Sequence, residues 1–269
     1  MKQVYLTLIA IVRDQEDYIK EWLAFHRLVG VERFVIILHQ CRDKTETEIL
    51  ELPFGKDIHI HHVIDENVSS VQLGAYHWAA QQYGHYSEWL LFIDSDEFFF
   101  GTREDSLLSI LERYEGDGGL AAHSLHFGSN NHVFRPKGLS IEAFTSRKSD
   151  TCPINRVVKT AIRAKELLAI LSPHVQITIA PVVLENHVPL GDVHWRPKEW
   201  AGHEIIRCHH YHTRSMQDWL ERRRRGSCNT YHEENALYDV NRFIEYNTGD
   251  MVEDTTILRF VPGILEILE

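Results

Sequence analysis

Three features are scarce in this 269-residue sequence, and each scarcity excludes a class of protein. The four cysteines lie far apart without a Cys-x-x-Cys pair, which excludes a zinc ribbon or a dense disulfide scaffold and favours reduced thiols. Long apolar runs are missing too, because the apolar stretch at residues 4–12 meets Arg13 and Asp14 too soon for a membrane span and lacks a cleavage site. We therefore expect a buried first strand in a cytoplasmic protein.

Basic residues are the third deficit. The chain has 28 Lys and Arg against 39 Asp and Glu, a formal net charge of -11. This balance argues against broad binding to nucleic acid, which needs a basic surface to displace counterions. One basic run, Arg222 to Arg225, suits a compact anion such as a diphosphate as well as it suits a lipid or nucleic-acid patch.

The order of apolar patterns predicts a single mixed α/β domain with a mostly parallel central sheet flanked by helices. Strand patterns at 4–12, 34–38, 58–64 and 89–93 alternate with helical patterns at 18–29, 43–50 and 69–83, as in a sheet wound by right-handed crossovers. We expect residues 1–100 to bind a nucleotide and residues 101–269 to bind an acceptor. Later predictions are helices at 106–114 and 215–225, strands at 120–127, 157–162, 175–179 and 205–211, and a loop at 181–198.

The most informative stretch follows the strand at 89–93, where Asp94, Asp96 and Glu97 end an apolar run. Buried carboxylates are costly unless they meet a cation. Asp94 and Asp96 are two residues apart, so in an extended chain both can bind one divalent ion. Many nucleotide-sugar transferases hold a metal diphosphate with such an Asp-x-Asp pair. Taken alone, the pattern is more often a turn whose acids cap a helix, and Glu97 points away from Asp96.

A histidine cluster lies at the end of the last predicted strand. Alternation sends His210 and His212 to one face and His209 to the other, so one of the first two can complete a metal site begun by Asp94 and Asp96. Because the chain has 18 histidines, a chance cluster is an equal alternative. The group at His59, His61 and His62 falls in a predicted interior strand and is interpreted as packing or surface histidines.

Two further parts are needed for group transfer. Arg222 and Arg225 lie three apart on the predicted helix, so both can reach one anion, although a solvated basic face is the slightly favoured alternative from spacing alone. A general base must also accept the proton of an acceptor hydroxyl. The candidates are Glu142, Asp150, Glu185 and Asp192, of which Asp192 is weakly favoured because Gly191 would expose it.

Six ordered blocks of the chain resemble glycosyltransferase family 92 and related family 2-like proteins. The first runs from Arg13 through the Glu-Trp-x-x-Phe-His helix to Val31. Together the blocks span nearly the whole chain and favour metal ligation over helix capping for the Asp-x-Asp pair. The other five are residues 72–76, residues 93–98, residues 126–129, Lys159 with His174, and residues 210–226.

The resemblance implies a GT-A fold and an inverting transfer of a hexose, galactose or glucose, from a UDP-sugar to a glycan or lipid-linked acceptor. It also implies Mn²⁺, or Mg²⁺, as the cofactor. Residue by residue, Asp94, Asp96 and His210 would bind the metal. The donor would be contacted by Arg13, Gln72, Asp94, Ser95, Arg222 and Arg225.

The chain departs from its relatives in ways that affect these expectations. His39 to Asp43 replaces an Asp-rich turn, and Arg222 stands where relatives often have Lys. The lack of a preceding stalk favours surface-polysaccharide or lipopolysaccharide assembly, with the enzyme in peripheral contact with the inner membrane face. Two alternatives stay open, an inactive GT-A-like domain that binds a nucleotide or glycan, and a metal-dependent phosphohydrolase that uses Asp94, Asp96 and His210.

Overall fold

The computed structural model of the chain describes residues 1–64, 71–191, 197, 200–225 and 236–269. Eight of its strands agree with the predicted apolar runs to within a few residues, and five further strands add to them. The strands are β1 Val4–Val12, β2 Arg33–His39, β3 His59–Val63, β4 Ser87–Phe92, β5 Glu97–Gly101, β6 Gly119–His126, β7 Ser146–Lys148, β8 Val158–Arg163, β9 Leu167–Ser172, β10 Val175–Thr178, β11 Val182–Val183, β12 Ile206–His210 and β13 Met251–Glu253.

The helices connect these strands and cover the main sheet. No helix among the described residues is both long and apolar enough to cross a membrane. The α-helices are α1 Ile19–Leu28, α2 Thr45–Leu50, α3 Val71–Tyr83, α4 Leu107–Leu111, α5 Ser140–Ala143, α6 Met216–Arg225, α7 Ala236–Asn247 and α8 Val261–Leu268.

One nine-stranded sheet runs in the order β3-β2-β1-β4-β8-β6-β12-β5, with β11 beside β6. The first four strands are parallel, which confirms the predicted wound half. Strand β8 then lies antiparallel between β4 and β6, and β12 is parallel to β6 and antiparallel to β5. The sheet is therefore mixed, with the carboxyl ends of β1, β2, β4 and β12 on one edge.

Strand alternation divides the core into two layers. On β1, Leu6 and Leu8 point to the face that also buries Trp22 of α1, whereas Ile9 and Ile11 point to the face that buries Tyr76 of α3. Because both faces are covered, the strand is apolar at nearly every position. This arrangement is typical of the parallel part of an α/β sheet.

Three sequence expectations are corrected by the topology. The histidine-rich strand β3 forms an outer edge of the described sheet instead of its interior. Strand β10 pairs with β9 in a separate hairpin, and the loop predicted at 181–198 contains the short strand β11. The residues that decide these positions are distant in sequence, so local patterns did not reveal them.

The cysteines agree with the expectation of reduced thiols. Cys41, Cys152 and Cys208 are free. The fourth, Cys228, lies outside the described residues.

His26 offers a test of this packing through pH. Burial lowers the pKa of His26 to about 3, so the ring stays neutral while it binds the carbonyl of Trp22. An unfolded histidine titrates at about 6.5, so the unfolded state takes up a proton first and stability falls as pH drops from about 6.5 toward 3. In the wild type, His26 should make the free energy of unfolding fall by about 1.4 kcal/mol for each pH unit in this range. We expect a His26→Gln variant to lack this contribution, so that its free energy of unfolding depends less steeply on pH.

Urea unfolding at several pH values measures this slope. The matched control is His62→Gln, because the His62 side chain is 59% exposed. An unchanged slope in the His26→Gln variant would contradict the assignment.

Candidate functional site

A cleft of about 520 Å³ opens at the carboxyl edge of the sheet. Its walls come from the segments that follow β1, β2, β4 and β12, because adjacent strand ends meet at this edge. The Asp94 to Asp96 turn forms its floor together with His212. Five arginines line it: Arg13, Arg42, Arg135, Arg214 and Arg222.

The acidic turn connects two strands and does not begin a helix. It leaves β4 after Phe92 and enters β5 at Glu97, and the next helix starts only at Leu107. The amide of Glu97 donates to the Asp94 carbonyl, while the amide of Asp94 donates to the Glu97 carboxylate at 2.9 Å. This reciprocal pair of hydrogen bonds excludes the helix-capping alternative for the Asp-x-Asp pattern.

A buried lysine pairs with two of the three carboxylates in this turn. The Nζ of Lys159 lies 2.7 Å from Asp94 Oδ2 and 3.0 Å from Glu97 Oε2, and the Lys159 and Glu97 side chains are fully buried. Gln72 donates to the other oxygen of Asp94 at 2.7 Å. Both carboxylate oxygens of Asp94 therefore already accept a hydrogen bond from the protein.

The pKa shifts follow from this geometry. Burial alone would lower the pKa of Lys159, but the carboxylates of Asp94 and Glu97 raise it well above its usual value. Burial raises the pKa of Glu97. Burial would also raise the pKa of Asp94, but the positive charge of Lys159 outweighs it and holds this pKa below its usual value. The turn keeps a charged ammonium as a permanent part of its interior.

The second aspartate faces a different set of partners. Asp96 Oδ1 lies 3.4 Å from His210 Nε2, and Asp96 Oδ2 accepts a hydrogen bond from Arg222 Nη1 at 2.8 Å. The ligand atoms of Asp96, His210 and His212 all lie within 4.8 Å of one another. These three side chains, referred to below as the Asp-His-His group, are able to share one metal ion.

Charge differs across this group. Burial raises the pKa of Asp96, but His210 and Arg222 hold it well below its usual value. Burial lowers the pKa of His210, but the carboxylates of Asp96 and Glu97 raise it above its usual value. Burial and the neighbouring Arg222 lower the pKa of His212, so its ring is neutral and keeps a lone pair.

Arg214 is a site residue that the sequence analysis missed. Its guanidinium donates to Gln15 Oε1 at 2.9 Å and to the Ser95 carbonyl at 3.2 Å, and it lies 3.7 Å from the ring centre of Tyr18. The backbone φ of Arg214 is 49°, in the left-handed region that residues other than glycine rarely adopt. The sequence did contain a signal for this residue, because Arg214 stands between the histidines that end at His212 and the predicted helix that begins at Ser215.

The turn after β2 forms part of the cleft wall. Asp14 Oδ1 accepts the amide of Arg42 at 2.7 Å, and Asp43 Oδ2 accepts the amide of Glu16 at 2.9 Å. These bonds join the loops that follow β1 and β2. The ligand atoms of Asp14, Cys41 and Asp43 also lie within 4.8 Å of one another. Because the two carboxylates hold the loops, we interpret this cluster as structural.

The predicted site residues fall into three groups. Arg13, Ser95, Asp94, Asp96 and Arg222 line the cleft, and Gln72 reaches it through Asp94. Arg225 ends α6, and its side chain is outside the described part of the structure, as is the whole of Asp192.

The other candidate bases lie away from the cleft lining. Glu185 is buried and accepts the backbone amides of Glu204, Ile205 and Ile206, so its carboxylate fixes the entry into β12. Asp150 pairs with Arg147 at 2.7 Å. Glu142 is exposed on α5.

Comparison with known proteins defines the family. Residues 9–239 match glycosyltransferase family 92. This match covers most of the chain, so the chain belongs to glycosyltransferase family 92. Membership and the mixed α/β sheet confirm the family resemblance and the GT-A fold class predicted from the sequence.

Two curated relatives come from plants. A family 92 protein of Ricinus communis is 28% identical over 134 residues, which are 50% of this chain and 23% of that protein. A family 92 protein of Oryza sativa subsp. japonica is 26% identical over 147 residues, 53% of this chain and 24% of that protein. The matched region therefore spans about a quarter of the length of these relatives.

Solved structures give more distant similarities. Staphylococcus aureus TarS, residues 1–349, is 18% identical with a TM-score of 0.38, covering 60% of this chain and 47% of its own. Glucosyl-3-phosphoglycerate synthase from Mycobacterium tuberculosis, solved with Mn²⁺, UDP-glucose and phosphoglyceric acid, is 12% identical with a TM-score of 0.34. In that case 61% of this chain and 57% of the synthase are covered.

The buried ammonium generates a stability prediction. A Lys159→Met variant leaves the buried Glu97 and the half-buried Asp94 without their cation, so we expect it to lose about 3–5 kcal/mol of the free energy of unfolding. Lys20→Met is the matched control: Lys20 also pairs with two carboxylates, Glu48 and Glu51, but at the surface, where such pairs contribute about 0–1 kcal/mol. Urea denaturation measures both losses, and equal losses would show that burial of the pair is immaterial.

Proposed function

We propose that this protein is a metal-dependent glycosyltransferase that moves a hexose from a UDP-sugar to a glycan or lipid-linked acceptor with inversion. The observation that carries the proposal is the Asp-His-His group, two members of which, Asp96 and His212, line a cleft that also contains five arginines. Its occurrence in a member of glycosyltransferase family 92 supports a sugar donor.

The donor set fits a divalent ion of the first transition series. One carboxylate and two imidazoles can converge on one point, and imidazole nitrogen suits Mn²⁺ better than Mg²⁺, which prefers oxygen ligands and bound water. Such an ion would be held by Asp96, His210 and His212, and it would supply charge stabilisation for a diphosphate leaving group. Compared with the expected set, His212 takes the place of Asp94, whose two oxygens already bind Lys159 and Gln72.

The remaining residues suit the organic part of the donor. The cleft volume of about 520 Å³ lies within the range of ordinary small-molecule sites. Guanidinium groups grip phosphate oxygens in pairs, so Arg214 and Arg222 are placed to bind the diphosphate and stabilise its charge as the glycosidic bond breaks. Arg13 and the turn after β2 then remain for the nucleoside.

Asp94 has a separate task in this proposal. Its side chain is 34% exposed and faces the cleft, while Lys159 and Gln72 fix the plane of its carboxylate. A carboxylate held in this way can accept a hydrogen bond from a donor hydroxyl and orient the sugar. The acceptor proton needs a general base on the other side of the sugar, and Asp192 stays the prediction for that base.

Binding of UDP tests the proposal through Asp96. Calorimetry with UDP is expected to show tighter binding when Mn²⁺ is present in the wild type, because the ion and the diphosphate attract each other in the site. Asp96→Asn removes one ligand charge and should abolish this enhancement. Glu46→Gln is the control, since Glu46 is an exposed carboxylate outside the cleft lining. Metal-independent UDP binding in the wild type would sink the proposal.

The sugar and the acceptor need a second measurement. We expect slow release of UDP from UDP-galactose or UDP-glucose in the presence of Mn²⁺, and little release from UDP-N-acetylglucosamine, because the proposal specifies an unmodified hexose. A quantitative UDP assay across the three donors measures this preference. Binding of UDP without hydrolysis of any donor would favour the inactive binding domain instead.

A further inference from the structure

Arg222 contacts two of the three side chains of the Asp-His-His group. Its Nη1 atom lies 2.8 Å from Asp96 Oδ2, 3.2 Å from His212 Nδ1 and 3.0 Å from the His212 carbonyl. A guanidinium has donors and no acceptor, so both side-chain atoms present a lone pair to it. A metal ion bound to this ring nitrogen would need the one lone pair that faces Arg222, and on Asp96 it would sit beside the oxygen that Arg222 occupies.

Lys159 and Arg222, the two cations that pair with the aspartates of the acidic turn, differ in how firmly they are held. Lys159 is fully buried between two carboxylates, so its removal would leave charge in the interior. The Arg222 side chain is 38% exposed and lies at the rim of the cleft, at the end of α6. Arg222 can therefore leave Asp96 for water or for another anion, whereas Lys159 has no comparable freedom.

Charge balance gives this difference a direction. Asp96 is paired with the positive charge of Arg222 and lies 3.4 Å from His210, and a divalent ion brings two further charges. Once the ion binds Asp96, the guanidinium becomes an excess cation beside it and is repelled. A diphosphate then supplies the negative charge that both cations need.

We propose that Arg222 is an exchangeable counter-ion: it occupies Asp96 in the metal-free protein, and a divalent ion displaces it toward the diphosphate of the donor. The inference rests on the proposed function and gives Arg222 a second role within it, as the group that occupies Asp96 before the metal does. Metal and nucleotide then bind cooperatively, because each of them stabilises the same displaced position of the Arg222 guanidinium. A metal alone binds weakly, since it must break the Arg222–Asp96 pair without compensation.

The experiment measures Mn²⁺ binding without any substrate. We expect Arg222→Gln to bind Mn²⁺ alone about 5–10 times more tightly than the wild type, because the competitor is gone. Arg223→Gln is the matched control: it removes the same charge from the same helix, but Arg223 stacks over Trp219, with its guanidinium carbon 4.7 Å from the ring centre. Its Mn²⁺ affinity should stay within about twofold of the wild type, since a more distant, screened charge contributes little.

Cooperativity supplies the second readout. Cooperativity is measured as the UDP dissociation constant in the presence of a chelator divided by that at saturating Mn²⁺. This ratio should be at least about fivefold smaller in Arg222→Gln than in the wild type, and it should be unchanged in Arg223→Gln. Arg222→Lys keeps the charge without the planar fork, so its Mn²⁺ affinity should lie between those of wild type and Arg222→Gln. Circular dichroism checks that each variant is folded, and Arg222→Lys carries the test if Arg222→Gln is not.

The outcomes separate this inference from the proposed function. Equal Mn²⁺ affinities for Arg222→Gln and Arg223→Gln, or Mn²⁺ binding weakened by Arg222→Gln, would overturn the exchange while metal-dependent UDP binding persists. Failure of the wild type to bind Mn²⁺ with or without UDP would overturn the proposed function and this inference together.

Discussion

The ammonium of Lys159 is the interaction on which the rest of the site depends. Three carboxylates lie within four residues at the end of β4, and without a cation their repulsion and burial would oppose the turn into β5. Lys159 reaches two of them, Asp94 and Glu97, because β8 is inserted antiparallel between β4 and β6, with Thr160 opposite Phe92. The switch from parallel to mixed sheet thus brings a cation to the strand end where the cleft opens.

This arrangement separates the tasks of two aspartates that look equivalent in the chain. Asp94 is fixed by partners within the protein, and Asp96 faces the histidines and an arginine at the rim. One half of the motif is rigid and the other half is available to exchange partners. Preorganised groups of this kind lower the cost of orienting a ligand, because the protein has met that cost on folding.

Sequence patterns predicted the parts of this structure that depend on neighbours in the chain. The first four strands and the placement of Asp94 to Glu97 at a strand end follow from local apolar runs and were confirmed. The pairing of β8 with β4, the edge position of β3 and the hairpin of β9 and β10 depend on contacts distant in sequence. For the same reason, spacing left His210 and His212 as alternatives, whereas the fold brings both beside Asp96.

The charge network behind β12 bears on where the domain ends. Asp254, close to the C-terminus, lies 2.7 Å from both Arg147 and Arg207, and all three side chains are buried. The family match stops at residue 239, before this partner. A chain cut there would remove the buried carboxylate that both arginines share, beneath the strand that carries His210, and would leave Arg147 with only the half-exposed Asp150 as a counter-ion. The last thirty residues therefore support the strand that carries His210 from within the domain, and any minimal version of this domain needs them.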